Sequence, residues 1–268
     1  MRNLWLAAAI VVLGPGLCAA QDGQPAPSSV VFPGSVGGAI GTLAPSEPGN
    51  VISQMAIEQG VSPWHRGSLF LVGFARVSPG RDTEGLAWNN RTPTMFGARL
   101  TKVMQTGVLQ LNVGAALAGD TAGSSKLTRV AFGSYWAGWR GVRGGSHEVF
   151  DAFPGSISAI SGIITPLEPD NWITSTMVDQ GVTVYRRHRS TIIPFTRFAA
   201  SVDTERYSWN NRTSIEGGAK LRQDVRGGII DVGVSHRLQY DRVTRQFRNA
   251  PVVFVEMWIG WNPHLTRR

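Results

Sequence analysis

The stretch Ile-Asp-Val-Gly-Val-Ser-His-Arg-Leu-Gln-Tyr, residues 230–240, alternates without a break. Ile230, Val232, Val234, His236, Leu238 and Tyr240 fall on one face, and Asp231, Gly233, Ser235, Arg237 and Gln239 on the other. A period of two belongs to a β-strand, whose successive side chains point to opposite sides. The run before it does the same: Thr213, Ile215, Gly217, Ala219 and Leu221 alternate with Arg212, Ser214, Glu216, Gly218, Lys220 and Arg222. No comparable run has helical spacing outside the first 20 residues.

The same alternation appears about 120 residues earlier, where Leu109, Leu111, Val113, Ala115 and Leu117 interleave with Gln110, Asn112, Gly114 and Ala116. Self-comparison explains why. Phe32-Pro33-Gly34-Ser35 recurs as Phe153-Pro154-Gly155-Ser156, an offset of 153 − 32 = 121. Gln59-Gly60-Val61 recurs as Gln180-Gly181-Val182 at that offset. So does Asp82-Thr83-Glu84 with Trp88-Asn89-Asn90-Arg91-Thr92, as Asp203-Thr204-Glu205 with Trp209-Asn210-Asn211-Arg212-Thr213. Gly97-Ala98-Arg99-Leu100 matches Gly218-Ala219-Lys220-Leu221, and Trp136-Ala137-Gly138-Trp139 matches Trp258-Ile259-Gly260-Trp261 at 122. The chain reads as a tandem duplication: a leader over 1–20, a disordered lead-in over 21–31, copies over 32–142 and 153–268, and a linker over 143–152.

Five long strands are expected in each copy, near 50–62, 67–78, 91–104, 107–118 and 126–140, then near 171–185, 190–201, 212–224, 228–241 and 250–261. Such strands exceed the globular mean of about 5–6 residues and suit the roughly 9–11 that a tilted membrane strand needs. Parity matters, because an odd number per copy inserts the second copy upside down. A sixth segment, Ser35–Leu43 and Ser156–Thr165, restores the orientation as a strand, or lies in the lumen as a partial plug. The expected fold is an all-β, antiparallel up-and-down barrel of 10–12 strands, with twelve preferred. The alternative is a pair of soluble β-sandwich or small-barrel repeats in the periplasm.

Composition narrows the class further. Only 16% of the 268 residues are charged, against roughly 25% in an average soluble domain, while 42% are apolar. Arg2, the apolar run Leu4–Leu13 and Cys18-Ala19-Ala20 before Gln21 have the form of a secretory signal peptide. That leader holds the single cysteine, so no disulfide framework is expected. The net charge of +8 is carried by dispersed arginines without a basic tract, which argues against nucleic acid as a partner.

Two groups of residues attract attention. The first is the repeated WNNR motif, Trp88, Asn89, Asn90 and Arg91 with Trp209, Asn210, Asn211 and Arg212. An indole offers a flat face for a sugar ring, and Asn-Asn offers amide donors and acceptors; equally, the motif is a hairpin signature in which acids neutralise the arginines. The second is the polar strand face, with Arg99, Glu216, Lys220, Arg222, Asp231 and Arg237. Inside a barrel these pair across strands or line a mildly cation-rich channel. The basic turn Arg186-Arg187-His188-Arg189 suits anionic headgroups or lipopolysaccharide phosphates.

No enzyme is expected. His188-Arg189-Ser190 has the H-x-S spacing of outer-membrane lipases, but in a basic turn. The remaining histidines form no metal-ligand pair, and neither metal nor cofactor is anticipated.

The Asp-Thr-Glu, WNNRT and Gly-Ala-Arg-Leu series, with a last strand closing on Trp-x-Gly-Trp, resembles the C-terminal barrel modules of bacterial outer-membrane proteins for exopolysaccharide export or phage adsorption. It covers roughly 50–141 and 171–262. The resemblance implies an outer-membrane location, a surface polysaccharide as passenger, and Trp88, Trp209 and the lumen arginines along its path. The tetratricopeptide superhelix of such proteins has no counterpart here, so a secretion component is expected as a separate envelope partner.

Overall fold

The computed structural model describes residues 30–45, 47, 49–86, 89–119, 125–139, 153–164, 170–261 and 264–265. The leader, nearly all of the lead-in and the linker over 143–152 lie outside the described residues. Every regular element among those described is a β-strand.

Twelve strands close into one antiparallel barrel. In chain order they are β1 Gly34–Gly41, β2 Ile52–Arg66, β3 Leu69–Val77, β4 Thr94–Val103, β5 Gly107–Gly119 and β6 Ser125–Trp139. Then come β7 Gly155–Ile163, β8 Trp172–Gly181, β9 Ser190–Asp203, β10 Arg212–Val225, β11 Gly228–Asp241 and β12 Gln246–Trp261. Each pairs with its sequence neighbour, and β12 returns to β1 with Trp261 opposite Gly34 and Phe254 opposite Gly41. Closure leaves no sheet edge to be satisfied by solvent, which is what a bilayer requires. A ten-residue strand rising about 3.3 Å per residue and tilted about 40° spans about 25 Å, the height of an outer-membrane apolar band.

The segments that begin each copy are strands of the wall, β1 and β7, and not a plug. That settles the count at twelve, and it replaces the two-sandwich alternative with a single closed barrel. Because each copy supplies six strands, the Asp-Thr-Glu loops of both copies emerge at the same end. Four short pieces lie outside the twelve: Val30–Val31, Gly80–Asp82, Tyr185–Arg187 and His264–Leu265. Gly80–Asp82 extends the line of β3 past Pro79 and pairs with Ile52–Gln54.

The two ends of the barrel differ. At one end lie tight turns such as 67–68 and 226–227, together with the first residue of β1 and the last of β12. Gly67 and Gly227 take positive φ there (57° and 81°), a conformation that L side chains disfavour. That end also carries the connections 140–154 and 182–189, and the other end carries 42–51, 78–93 and 204–211. In outer-membrane barrels the short turns face the periplasm and the longer loops the exterior.

Burial is inverted relative to a soluble protein. The alternating apolar residues point outward, with Val113 58% and Val232 48% exposed, while Asn112 and Asp231 beside them are only 2% and 3% exposed. A closed sheet with polar groups inside and a continuous aliphatic surface outside is stable only if that surface meets hydrocarbon. The protein is therefore an outer-membrane β-barrel, and the soluble periplasmic alternative is excluded by the same observation. The low charge follows, since half of each strand faces lipid.

The tryptophans are sorted more finely than their positions in sequence indicate. Trp139 and Trp261 lie on the outer face at the turn end, as interfacial residues do. Trp136 and Trp258, three residues earlier on the same strands, share the parity of inward-facing Ser134 and Glu256 and fold over Gly138 and Gly260. At the loop end Trp172 is exposed, and Tyr240 packs on Phe247 with ring centroids 4.7 Å apart.

Candidate functional site

The interior of the barrel holds charged side chains on facing strands, and each strand contributes them at alternate positions. On the second-half wall Arg237 of β11 donates to Glu216 of β10 through Nε at 2.8 Å and Nη2 at 2.6 Å. Its Nη1 reaches the carbonyl of Leu43, in the loop after β1. Arg222 of β10 grips Asp231 of β11 with two bonds of 2.8 and 2.7 Å. Lys220 sits between Asp231 at 3.3 Å and Asp179 of β8 at 3.4 Å.

Arg197 of β9 bridges further. It meets Asp179 at 3.1 Å and holds Glu256 of β12 in a two-bond fork at 2.9 and 3.0 Å. On the first-half wall Arg99 of β4 makes the equivalent fork with Glu58 of β2, and its Nε donates to Asn112 of β5 at 2.6 Å. Charges this far from water persist because each is matched by an opposite charge and by hydrogen bonds to it.

Aromatic faces complete the interior. The Arg99 guanidinium lies 4.4 Å from the Phe74 ring centroid, and Lys220 Nζ lies 4.9 Å from that of Phe195. Arg197 sits 5.5 Å from Phe195 and 6.0 Å from Phe254, and those two rings meet edge to face. Phe254 and Phe195 join Ile52, Ile193, Val252, Ala39, Leu43 and Ala44 in an apolar cluster inside the barrel. The lumen is thus cross-braced by ion pairs and partly filled by side chains.

Arg99, Glu216, Lys220, Arg222, Asp231 and Arg237 all point into this lattice. Four of its members, Glu58, Asp179, Arg197 and Glu256, and the three phenylalanines were not among the residues singled out in the sequence. The signal for several was there: Glu58 and Asp179, Phe74 and Phe195, and Arg76 and Arg197 are all 121 apart and on the polar parity of their strands.

The WNNR residues lie elsewhere, at the loop end. Asp82 is the hub of the first loop. Its Oδ2 accepts from Asn89 at 2.8 Å and Asn50 at 3.1 Å; its Oδ1 accepts from Asn90 at 2.6 Å and from the Leu86 backbone at 3.0 Å. Asn50 also bonds Thr83, and Thr83 Oγ1 accepts from the Val51 backbone. Asp203 repeats the pattern with Asn171, Asn210, Asn211 and the Tyr207 backbone. Burial drives the Asp82 carboxyl up, but the donations from Asn89, Asn50, Asn90 and Leu86 outweigh it and hold the group below its ordinary 3.8.

In this arrangement the Asn-Asn amides are turned inward onto an aspartate, which gives the loops a fixed shape. The aspartates are held by these amides. Trp209 stacks on Tyr207, with centroids 4.5 Å apart and planes 8° apart. Arg91 and Arg212 are half-buried beside the knots. Trp88 lies outside the described residues.

The basic turn, Arg186–Arg189, is at the turn end, opposite the knots, and its members are exposed. Ser190 there donates its hydroxyl to Gln223 Oε1 at 2.6 Å. His236 lies on the outer, lipid-facing surface.

No family model matches the chain, and no curated protein matches it in sequence. Among solved structures it is similar to the β domain of the Bordetella autotransporter BrkA, at 11% identity over 86% of this chain and 98% of that one, with a TM-score of 0.39. It is also similar to a bacterial polysaccharide outer membrane secretin, at 10% identity over 88% and 99%, with a TM-score of 0.35. A third is the transport unit of the autotransporter AIDA-I from Escherichia coli, at 11% identity over 95% of each chain, with a TM-score of 0.33. The class itself rests on closure and on the inverted surface: this is a twelve-stranded transmembrane β-barrel of the bacterial outer membrane.

Proposed function

We propose that this barrel serves, without catalysis, in the passage, anchoring or assembly of a surface polysaccharide. The observation that supports the reading is the lumen lattice, in which guanidinium forks and cation-capped phenylalanine faces line one wall after another. Charge-assisted forks are strong in place, yet each can exchange its carboxylate for another of the same geometry. An acidic sugar offers carboxylates for the arginines and apolar ring faces for the aromatics. On this reading the cross-braces close the lumen at rest, and a passenger or a separate secretion component in the envelope opens it by competing for them.

The experiment is deletion of the gene in its own host, with surface polymer measured on intact cells. Loss of surface polymer with continued synthesis inside the envelope is the expected result, restored by the wild-type chain. Normal surface polymer in the deletion strain would sink the proposal while leaving the membrane barrel intact.

A further inference from the structure

We infer that Arg76 forms an oxyanion site in the first-half wall of the lumen, taking a carboxylate or a chemically equivalent anion that the protein itself does not supply there. The two walls differ in their balance of charge. In the second half, four cations and four carboxylates are all engaged in ion pairs. Arg197 takes both Asp179 and Glu256.

Arg76 occupies the position 121 residues before Arg197, on β3, with the same inward parity and with Glu58 as its register partner on β2. Glu58, however, is already held at both oxygens by Arg99. The residue 122 before Glu256 is Ser134, and the residue 121 before Asp231 is Gln110. The counterparts of these two acids are therefore neutral in the first half, and Ser134 donates to Gln110 at 3.3 Å. One carboxylate thus faces two guanidiniums.

Arg76 uses its Nε on Ser78 Oγ at 3.2 Å, and among the described residues neither of its terminal nitrogens has a hydrogen-bond partner. It is half-buried on the lumen side of the sheet. A guanidinium in so little water, with its fork unoccupied, is a strong receptor for a planar carboxylate. The place for that group is the one Glu256 fills in the other half. The ligand class is an oxyanion, borne either by a uronate of a passing polymer or by a free anion. The polymer arm rests on the proposed function; the site does not.

The test uses the full mature chain folded in detergent, with thermal unfolding followed by tryptophan fluorescence. Trigalacturonate, a neutral trisaccharide and inorganic phosphate are the probes. At tenfold over Kd an occupied site raises the transition by about 3 °C. Wild type is expected to shift with trigalacturonate and not with the neutral sugar, and Arg76→Gln is expected to lose the shift. Ser134→Glu, which restores the missing carboxylate, is expected to raise the transition without ligand and to abolish the response. A shift with phosphate alone supports the site and assigns it a free anion. An equal shift in Arg76→Gln and wild type, or no shift with either anion in wild type, overturns the inference.

Discussion

Trp261 donates its indole N–H to Gln59 Oε1 at 3.1 Å across the intervening strand β1, and Trp139 makes the same bond to Gln180 at 3.0 Å across β7. The indoles lie over Gly34 and Gly155, where an added Cβ would stand 2.4 and 2.5 Å from the ring. Each glutamine also donates to the backbone of the Phe-Pro-Gly segment, to Pro33 in one case and to Phe153 and Pro154 in the other. Three motifs far apart in sequence thereby form one clasp, used twice. One clasp joins the halves; the other closes the barrel.

Trp261→Ala and Trp139→Ala are each expected to cost about 2 kcal/mol, from lost packing and one lost hydrogen bond. The two clasps share no partner, so the double variant should lose close to the sum. Urea unfolding of the detergent-folded protein measures both. Gly34→Leu, which displaces the ring while leaving it present, should resemble Trp261→Ala.

Glu216 is 2% exposed and accepts from Arg237 and Ser235. Glu216→Gln leaves a lumen guanidinium without its counter-charge and should destabilise by about 3 kcal/mol. A Glu216→Leu/Arg237→Leu double variant should recover most of that loss, because it removes the pair together. A double variant no more stable than Glu216→Gln would contradict the account of the lattice.

The direction of the surface makes a further contrast. Val234→Arg places a cation against hydrocarbon at mid-strand and should cost about 2–4 kcal/mol. Ser134→Glu places a charge inside, within reach of the open fork of Arg76, and should not destabilise. Equal effects of the two substitutions would mean that the faces have been assigned the wrong way round.

At the loop end, the depressed Asp82 carboxyl sets a pH window. Its stabilising contribution is complete above the unfolded value of about 3.9 and is lost as pH falls through the lower folded value. Proteolysis of the 83–93 loop should therefore stay slow from neutral pH down to about pH 4 and accelerate only below it. Asp82→Ala should make that loop cleavable at neutral pH. Cleavage of the wild-type loop already rising near pH 6 would count against the knot.

Much of the architecture is legible in local pattern. Expected strands at 107–118, 212–224 and 228–241 correspond to β5, β10 and β11 within a residue at each end. Errors gather where chemistry interrupts the pattern. Expected 67–78 ends at Val77 because Pro79 cannot continue the ladder, and expected 171–185 divides at 182–184, where β8 gives way to the short strand Tyr185–Arg187. β1 and β7 are short and glycine-rich, so their alternation is weak, and only pairing on both sides defines them.

What the amino-acid order alone determined is the period-two alternation, its recurrence at 121 residues and the identity of the polar face, because these depend on backbone geometry and residue spacing only. Which way that face points was decided by closure: the same alternation in an open sheet puts polar groups into water, and in a barrel it puts them into the lumen. Partner choice was also tertiary. Trp261 finds Gln59 across 202 residues because the last strand returns to the first, and Arg197 finds Glu256 across 59 because the closed wall curves β9 and β12 towards each other. No local interaction encodes that meeting.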